Sequence, residues 1–157
     1  MSYCRKLFMQ MHKVNVLVVE DSPGDARLIA EAFKETKLKT VVRVVQDGVE
    51  AMSFLRHEGT YVDEVCPDLI LLDLNLPRKD GREVLAEIKH DAAFKQIPVL
   101  ILTTSNRQQD IVFSYEHHAN SYIVKPLDMN SFFRVVKDLE DFWFHVAKLP
   151  SYNGTND

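Results

Sequence analysis

Four segments of the chain deliver side chains that could handle a highly charged group. VNVLVV (14–19) runs into Glu20-Asp21, and LILL (69–72) runs into Asp73. VLILT (99–103) closes on Thr103 with Thr104 behind it, and SYIV (121–124) leads to Lys125-Pro126. Carboxylates brought together repel and hold on to protons unless a cation intervenes. Oxygen ligands without His or Cys select a hard ion, and Mg²⁺, which keeps several waters and takes one or two carboxylates, is the usual one. Lys125 adds a positive charge that can orient an anion, and the Thr103 hydroxyl can donate to a phosphoryl oxygen. Such a set neutralises and positions a phosphoryl group, with a carboxylate at hand as nucleophile. Asp73 is the candidate nucleophile, because the loop after it leaves room for a donor. Taken singly, each piece has a plainer meaning. Glu20-Asp21 reads as a helix cap with a solvated acid, Thr103 as a β-branched strand residue, and Lys125-Pro126 as a turn. Their joint occurrence at strand ends is what points to chemistry.

The elements that must position these residues alternate along the chain. The four runs above, with VVRVV (41–45), read as strands, and the aliphatic LILL run reads as buried on both faces. Between them lie segments with helical spacing. Asp21-Ser22-Pro23 opens the first, a capping residue followed by proline at the first helical position; Ala26, Ile29, Ala30 and Phe33 mark one face. Asp47 opens the second, with Met52 and Leu55 inside, and Asp80 the third, with Val84, Leu85 and Ile88 at core spacing. The fourth begins near Asn106 and carries Ile111, Val112 and Tyr115; the fifth and longest begins near Asp128. Five strands alternating with five helices imply an α/β fold, a parallel sheet with helices on both faces. Ligands of such sheets lie outside the carboxyl ends of the strands, where the four segments place their polar residues.

Bulk properties bound the rest. At 157 residues the chain is about one domain long. A hydrophobic content of 46% excludes disorder as the main state, and a net charge of −4 lacks the basic footprint that nucleic acid demands. Cys4 and Cys66 follow no metal or redox spacing and read as free thiols of a reducing compartment. Arg5 and Lys6 interrupt any signal-peptide core, and no segment approaches the ~20 apolar residues of a membrane span. The expectation is a cytoplasmic protein without a membrane partner, with a tail at 1–12, a domain at 13–148 and a polar tail at 149–157.

VLVVEDSP (16–23), LILLDLNLPRKDG (69–81), VLILTTS (99–105) and YIVKPL (122–127), in this order and at these intervals, resemble the receiver domain of bacterial two-component response regulators. The resemblance covers about Val14 to Ala147. It implies a flavodoxin-like (βα)5 doubly wound sheet of five parallel strands, order 2-1-3-4-5. It also implies phosphorylation of Asp73 by a sensor histidine kinase. Asp21 and Asp73 would bind Mg²⁺ through side chains, Asn75 through its backbone carbonyl, and Glu20 through water. Thr103 would contact the phosphoryl oxygen and Lys125 would pair with it. Tyr122 would be the aromatic that changes rotamer with Thr103 on activation.

There are departures from the family pattern. Glu20-Asp21 stands where many receivers have two aspartates. Asn75 and Ser105 occupy the places that tune dephosphorylation, and neither is a strong acid or base. HEGTYVDEVCPD (57–68) is longer than in minimal receivers, and with the aromatic last helix it resembles the small regulators that serve cyanobacterial phytochromes. No output domain is expected, since the polar LPSYNGTND remains after the last helix, so the signal should leave through the receiver's own surface.

At about 100° per residue, Phe132, Val135, Val136, Leu139, Phe142, Trp143 and Val146 of the last helix share one stripe. Phe133 and Phe144 fall on a flank beside Lys137 and Glu140, an apolar patch with a polar rim. In the resembled family the fourth helix, fifth strand and fifth helix form the usual dimer face. The expectation is therefore a symmetric homodimer using Phe133, Phe144 and Tyr115. Three other readings compete. An aspartyl-phosphate phosphatase needs a second acid for the leaving group, and none stands two after Asp73. A nucleotide-binding fold lacks both the Walker pattern and G-x-G-x-x-G. A phosphorylation-independent interaction module is disfavoured by the intact Asp73, Thr103 and Lys125.

Overall fold

The computed structural model describes residues 13–34 and 39–150. The tail expected at 1–12 lies outside them, as does all but the first two residues of the one expected at 149–157. Five strands, β1 (Val14–Val19), β2 (Thr40–Val45), β3 (Leu69–Leu72), β4 (Val99–Thr103) and β5 (Ser121–Val124), form one sheet in the order β2-β1-β3-β4-β5. Every pairing is parallel. The helices are α1 (Pro23–Lys34), α2 (Gly48–Leu55), α3 (Gly81–His90), α4 (Gln108–Glu116) and α5 (Met129–Asp141). This is the expected fold and strand order.

β3 and β4 are buried along their whole length, as continuous aliphatic runs between two helical layers require. Alternate residues serve opposite faces. Leu17, Val19, Ile70, Leu72 and Ile101 pack with Met52, Leu55, Val84, Leu85 and Ile88 on one side. Val16, Val18, Leu69, Leu71, Leu100 and Leu102 pack with Ile29, Phe33, Phe132 and Val136 on the other. The 57–68 connection contains a short 3₁₀ turn, Gly59–Tyr61, whose Tyr61 ring lies 5.4 Å from that of Phe54.

Three helices are capped by aspartates: Asp47, Asp80 and Asp128 accept from the backbone N–H of Glu50, Arg82 and Ser131, each at 2.8 Å. Ser22 caps α1 more loosely, its Oγ accepting from the Asp25 N–H at 3.3 Å. The capping residue of α4 is Arg107, whose side chain makes no capping hydrogen bond. Its amphipathicity also differs from expectation. Asp110 and Ser114 are the buried residues of α4, whereas Val112 and Tyr115 face outward.

α5 departs from the predicted stripe at its end. Phe132 and Val136 are buried, but Phe142 and Val146 are 51% and 69% exposed. The reason is a change of helix type. Residues Phe142–Val146 form a π-helical turn, closed by the Ala147 N–H donating to the Phe142 carbonyl at 2.7 Å. A wider turn advances each residue by less than 100°, so the predicted phase fails there. Phe144 consequently turns inward to meet Phe33 of α1, with ring centroids 5.7 Å apart. Phe133 packs half-buried on the same side of the sheet. Both therefore stand half-buried against the core rather than on the free flank that the helical spacing placed them on. Glu140 is buried instead, four residues beyond Val136, with Lys137 at 3.4 Å.

One glycine ties the fold to the loop after β3. A Cβ on Gly81 would stand 2.1 Å from the Asp73 carbonyl oxygen and 2.6 Å from Leu74 Cα, so α3 begins in contact with the backbone that carries Asp73. Backbone cannot yield cheaply to such a contact. Gly81→Ala is expected to lower stability by about 1–3 kcal/mol, read as a lower urea midpoint; a midpoint equal to the parent's refutes the contact.

Candidate functional site

Parallel strands in this order set the ends of β1, β3, β4 and β5 along one rim. Glu20 and Asp73 are the first residues past β1 and β3, and Lys125 the first past β5. The three are buried, at 3%, 6% and 7% exposure. Lys125 Nζ donates to Glu20 Oε2 at 2.6 Å, to Asp25 Oδ2 at 2.8 Å and to Asp73 Oδ2 at 3.0 Å. An ammonium has three protons, and here each has a carboxylate acceptor. A charge this deep is tolerable only when paired and hydrogen-bonded, which accounts for a lysine lying beneath the rim.

The electrostatics follow from that packing. Burial pushes the Glu20 carboxyl up to about 7; its hydrogen bond to Lys125 opposes the rise and the Asp73 charge adds to it. Burial alone would make the Lys125 ammonium easier to deprotonate. Its bonds to Asp25 and Glu20 and the charge of Asp73 outweigh burial, and its pKa is raised. The site is short of positive charge even with the lysine in place. Carboxylate oxygens of Glu20, Asp21 and Asp73 lie within 4.8 Å of one another, an oxygen-only donor set fit for a hard divalent cation. Asp21 is exposed, so one side of the set is open to solvent.

The other predicted residues border this cluster. Thr103 is fully buried at the end of β4, and its Oγ1 accepts from the Ser105 N–H at 3.4 Å. Tyr122 on β5 donates its hydroxyl proton to the Ser105 carbonyl at 2.8 Å. Asn75 is exposed, and its N–H donates to Asp73 Oδ1 at 3.1 Å, leaving Asp73 with a partner on each oxygen. Tyr115 is exposed on α4, away from the cluster.

Two parts of the site escaped the sequence reading. Asp25, in the first turn of α1, reaches back to Lys125; an acid there is already explained by the helix dipole, so it gave no separate signal. The second is an ion-pair network flanking the loop after β4. Arg82 makes a two-pronged contact with Asp110, Nε to Oδ1 at 2.8 Å and Nη2 to Oδ2 at 2.9 Å, and its Nη1 also donates to Asp80. Ser105 donates to Asp110 Oδ2 at 2.6 Å. Arg82 and then Ser105 hold the Asp110 carboxyl down at about 2.

The sequence matches the response regulator receiver domain family over residues 16–137, a span that includes every rim residue named above. This chain belongs to the response regulator receiver family. The receiver is 46% identical over 136 residues to the response regulator Rcp1 of Synechocystis sp. (strain ATCC 27184 / PCC 6803 / Kazusa), covering 87% of this chain and 92% of Rcp1. Its structure superposes on that of the phosphorylated cyanobacterial phytochrome response regulator RcpA with a TM-score of 0.87 at 50% identity, covering 89% of this receiver and all of that chain. The Mn²⁺-bound form of Rcp1 gives 0.86 at 45% identity, covering 88% and 99% of the two chains. The expected family and its phytochrome-regulator branch are thus borne out.

The low Asp110 value carries a sign. An acid whose folded pKa lies below its ordinary 3.8 adds stability above that pH, and loses it as pH falls toward about 2. Asp110→Asn is expected to cost about 1–3 kcal/mol at neutral pH and to flatten the loss of stability between about pH 4 and 2. Denaturant titrations at several pH values check this; an acid limb as steep in the variant as in the parent counts against it.

Proposed function

We propose that this receiver accepts a phosphoryl group on Asp73 from a sensor histidine kinase and passes the signal on by a change of shape. The observation that carries the reading is the Lys125 ammonium bonded to Asp73 inside a cluster of carboxylates at the strand ends. An Asp73 oxygen forms the new P–O bond. The P–N bond to the kinase histidine breaks, and its electron pair stays on the imidazole nitrogen. Mg²⁺ held by Glu20, Asp21, Asp73 and the Asn75 backbone carbonyl would neutralise the charge that accumulates as the two anions meet. Lys125 supplies a fixed positive charge on the other side, and the Thr103 hydroxyl donates to a phosphoryl oxygen. No separate substrate is turned over: an aspartyl-phosphate phosphatase needs a second acid for its leaving group, and the residue two after Asp73 is Asn75.

Phosphorylation adds close to two negative charges at the rim. Thr103, drawn toward them, takes the following loop with it. Ser105 in that loop is held by the Tyr122 hydroxyl, so Tyr122 must break or follow that contact, which makes Thr103 and Tyr122 the switch pair. The names of RcpA and Rcp1 support a phytochrome as the kinase. No helix among the described residues is long and apolar enough to cross a membrane. Incubation with Mg²⁺ and acetyl phosphate should add one phosphoryl mass on Asp73. Chelation of the metal or Asp73→Asn should reduce labelling at least about a hundredfold; label on another residue sinks the reading.

The output surface is the face of α4, β5 and α5. Val112, Tyr115, Val124, Phe142 and Val146 are all exposed there or just beyond α5. A groove of about 320 Å³ runs between β5 and α5, lined by Ile123, Leu139, Phe142 and Trp143. Ser121 Oγ, also in its lining, is buried and finds no hydrogen-bond partner among the described residues. A symmetric homodimer that covers this face would bury the apolar residues. Sedimentation should show Tyr115→Glu and Phe142→Glu at half the mass of the parent dimer; two variants that sediment with the parent exclude this face.

A further inference from the structure

We infer that Asp25 is a positioning residue that competes with the phosphoryl group for Lys125 and so restrains the phosphorylation of Asp73. The inference rests on Asp73 being the phosphoacceptor. All three ammonium protons of Lys125 are engaged, by Glu20, Asp25 and Asp73. A phosphoryl group arriving at Asp73 finds no free donor on the lysine, so one of these bonds must be given up. The three acceptors differ in what release would cost. Glu20 is almost wholly buried, and stripping it of the lysine leaves a carboxylate with little water to replace the bond. Asp73 stays beside the lysine, because the incoming phosphorus attaches to it. Asp25 has a side chain 36% exposed, against 4% for Lys125, and water can take over its hydrogen bond. Asp25 is also the acceptor that stands outside the Glu20, Asp21 and Asp73 set able to hold a cation. It is therefore the partner that yields.

Asp25 acts twice against the reaction. It occupies an ammonium proton that the transferring phosphoryl oxygens need, and it adds a negative charge around the nitrogen that they approach. The covalent step is unchanged: an Asp73 oxygen bonds to phosphorus while the bond from phosphorus to the donor's oxygen breaks, and the donor leaves as acetate with that electron pair. Asp25 takes no part in it; only the position and availability of Lys125 alter. Its place in the chain suits this role. It lies in the first turn of α1, just after the Ser22 cap, so its carboxylate reaches Lys125 from the helix side while Asp73 approaches from the sheet.

The test is the rate at which Asp73 gains label from acetyl phosphate at saturating Mg²⁺, in the parent, Asp25→Asn and Asp25→Glu. Removing the competitor should raise the rate about two- to fivefold, the range expected for a partly exposed ion pair, and Asp25→Glu should return it to the parent value. A merely structural contact predicts the opposite, since loosening the lysine would slow labelling. A second reading needs no metal: NMR of the ¹⁵N-labelled Lys125 ammonium should show faster exchange of its protons with water in Asp25→Asn. A rate at or below the parent's, or unchanged proton exchange, overturns the role of Asp25. Absence of label on Asp73 in the parent itself would instead strike at the phosphoacceptor reading.

Discussion

A single ammonium holds the working end of this molecule together, and its position explains why the acids around it are tolerable. Glu20 and Asp73 terminate neighbouring strands and are nearly closed off from water. Without a counter-charge, two buried carboxylates so near each other would hold on to protons or force the strand ends apart. Lys125 arrives from the far edge of the sheet, passing the end of β4, and bonds both. One lysine stands against four carboxylates, those of Glu20, Asp21, Asp25 and Asp73, which leaves a deficit of positive charge. The deficit is what makes the rim receptive to a further cation, and the same crowding of charge is what phosphoryl chemistry requires.

Much of this was legible beforehand, and the reasons are particular. β1, β3 and β4 coincide with their aliphatic runs because buried parallel strands tolerate little else, and β5 coincides with SYIV although it is only half-buried at the sheet edge. Asp47, Asp80 and Asp128 announce their helices because a short carboxylate at that point satisfies otherwise orphaned N–H groups. Glu20, Asp21, Asp73, Thr103 and Lys125 could be grouped because the fold class puts the strand ends on one rim. Asn75 and Tyr122 entered only through resemblance.

What stayed hidden depends on pairings that span the chain or on local backbone choices. Asp110 and Arg82 are 28 positions apart and neither belongs to a motif; a polar buried face on α4 contradicts the rule that helices turn apolar residues inward. Asp25 was masked by an ordinary role for acids at helix starts. The π turn at Phe142–Val146 reversed the sides on which Phe142 and Phe144 were expected, because a periodicity argument assumes one helix type throughout.

β5 lies at the margin of the sheet, hydrogen-bonded along one flank to β4 and, among the described residues, without a strand on the other. It has a single strand neighbour, yet Lys125 moors it to two buried acids, Glu20 and Asp73. Tension in that mooring is transmitted to the outermost layer of the molecule. A redistribution of charge among a few oxygens can in this way be felt at a surface that another protein could touch, with the rigid middle of the sheet left undisturbed.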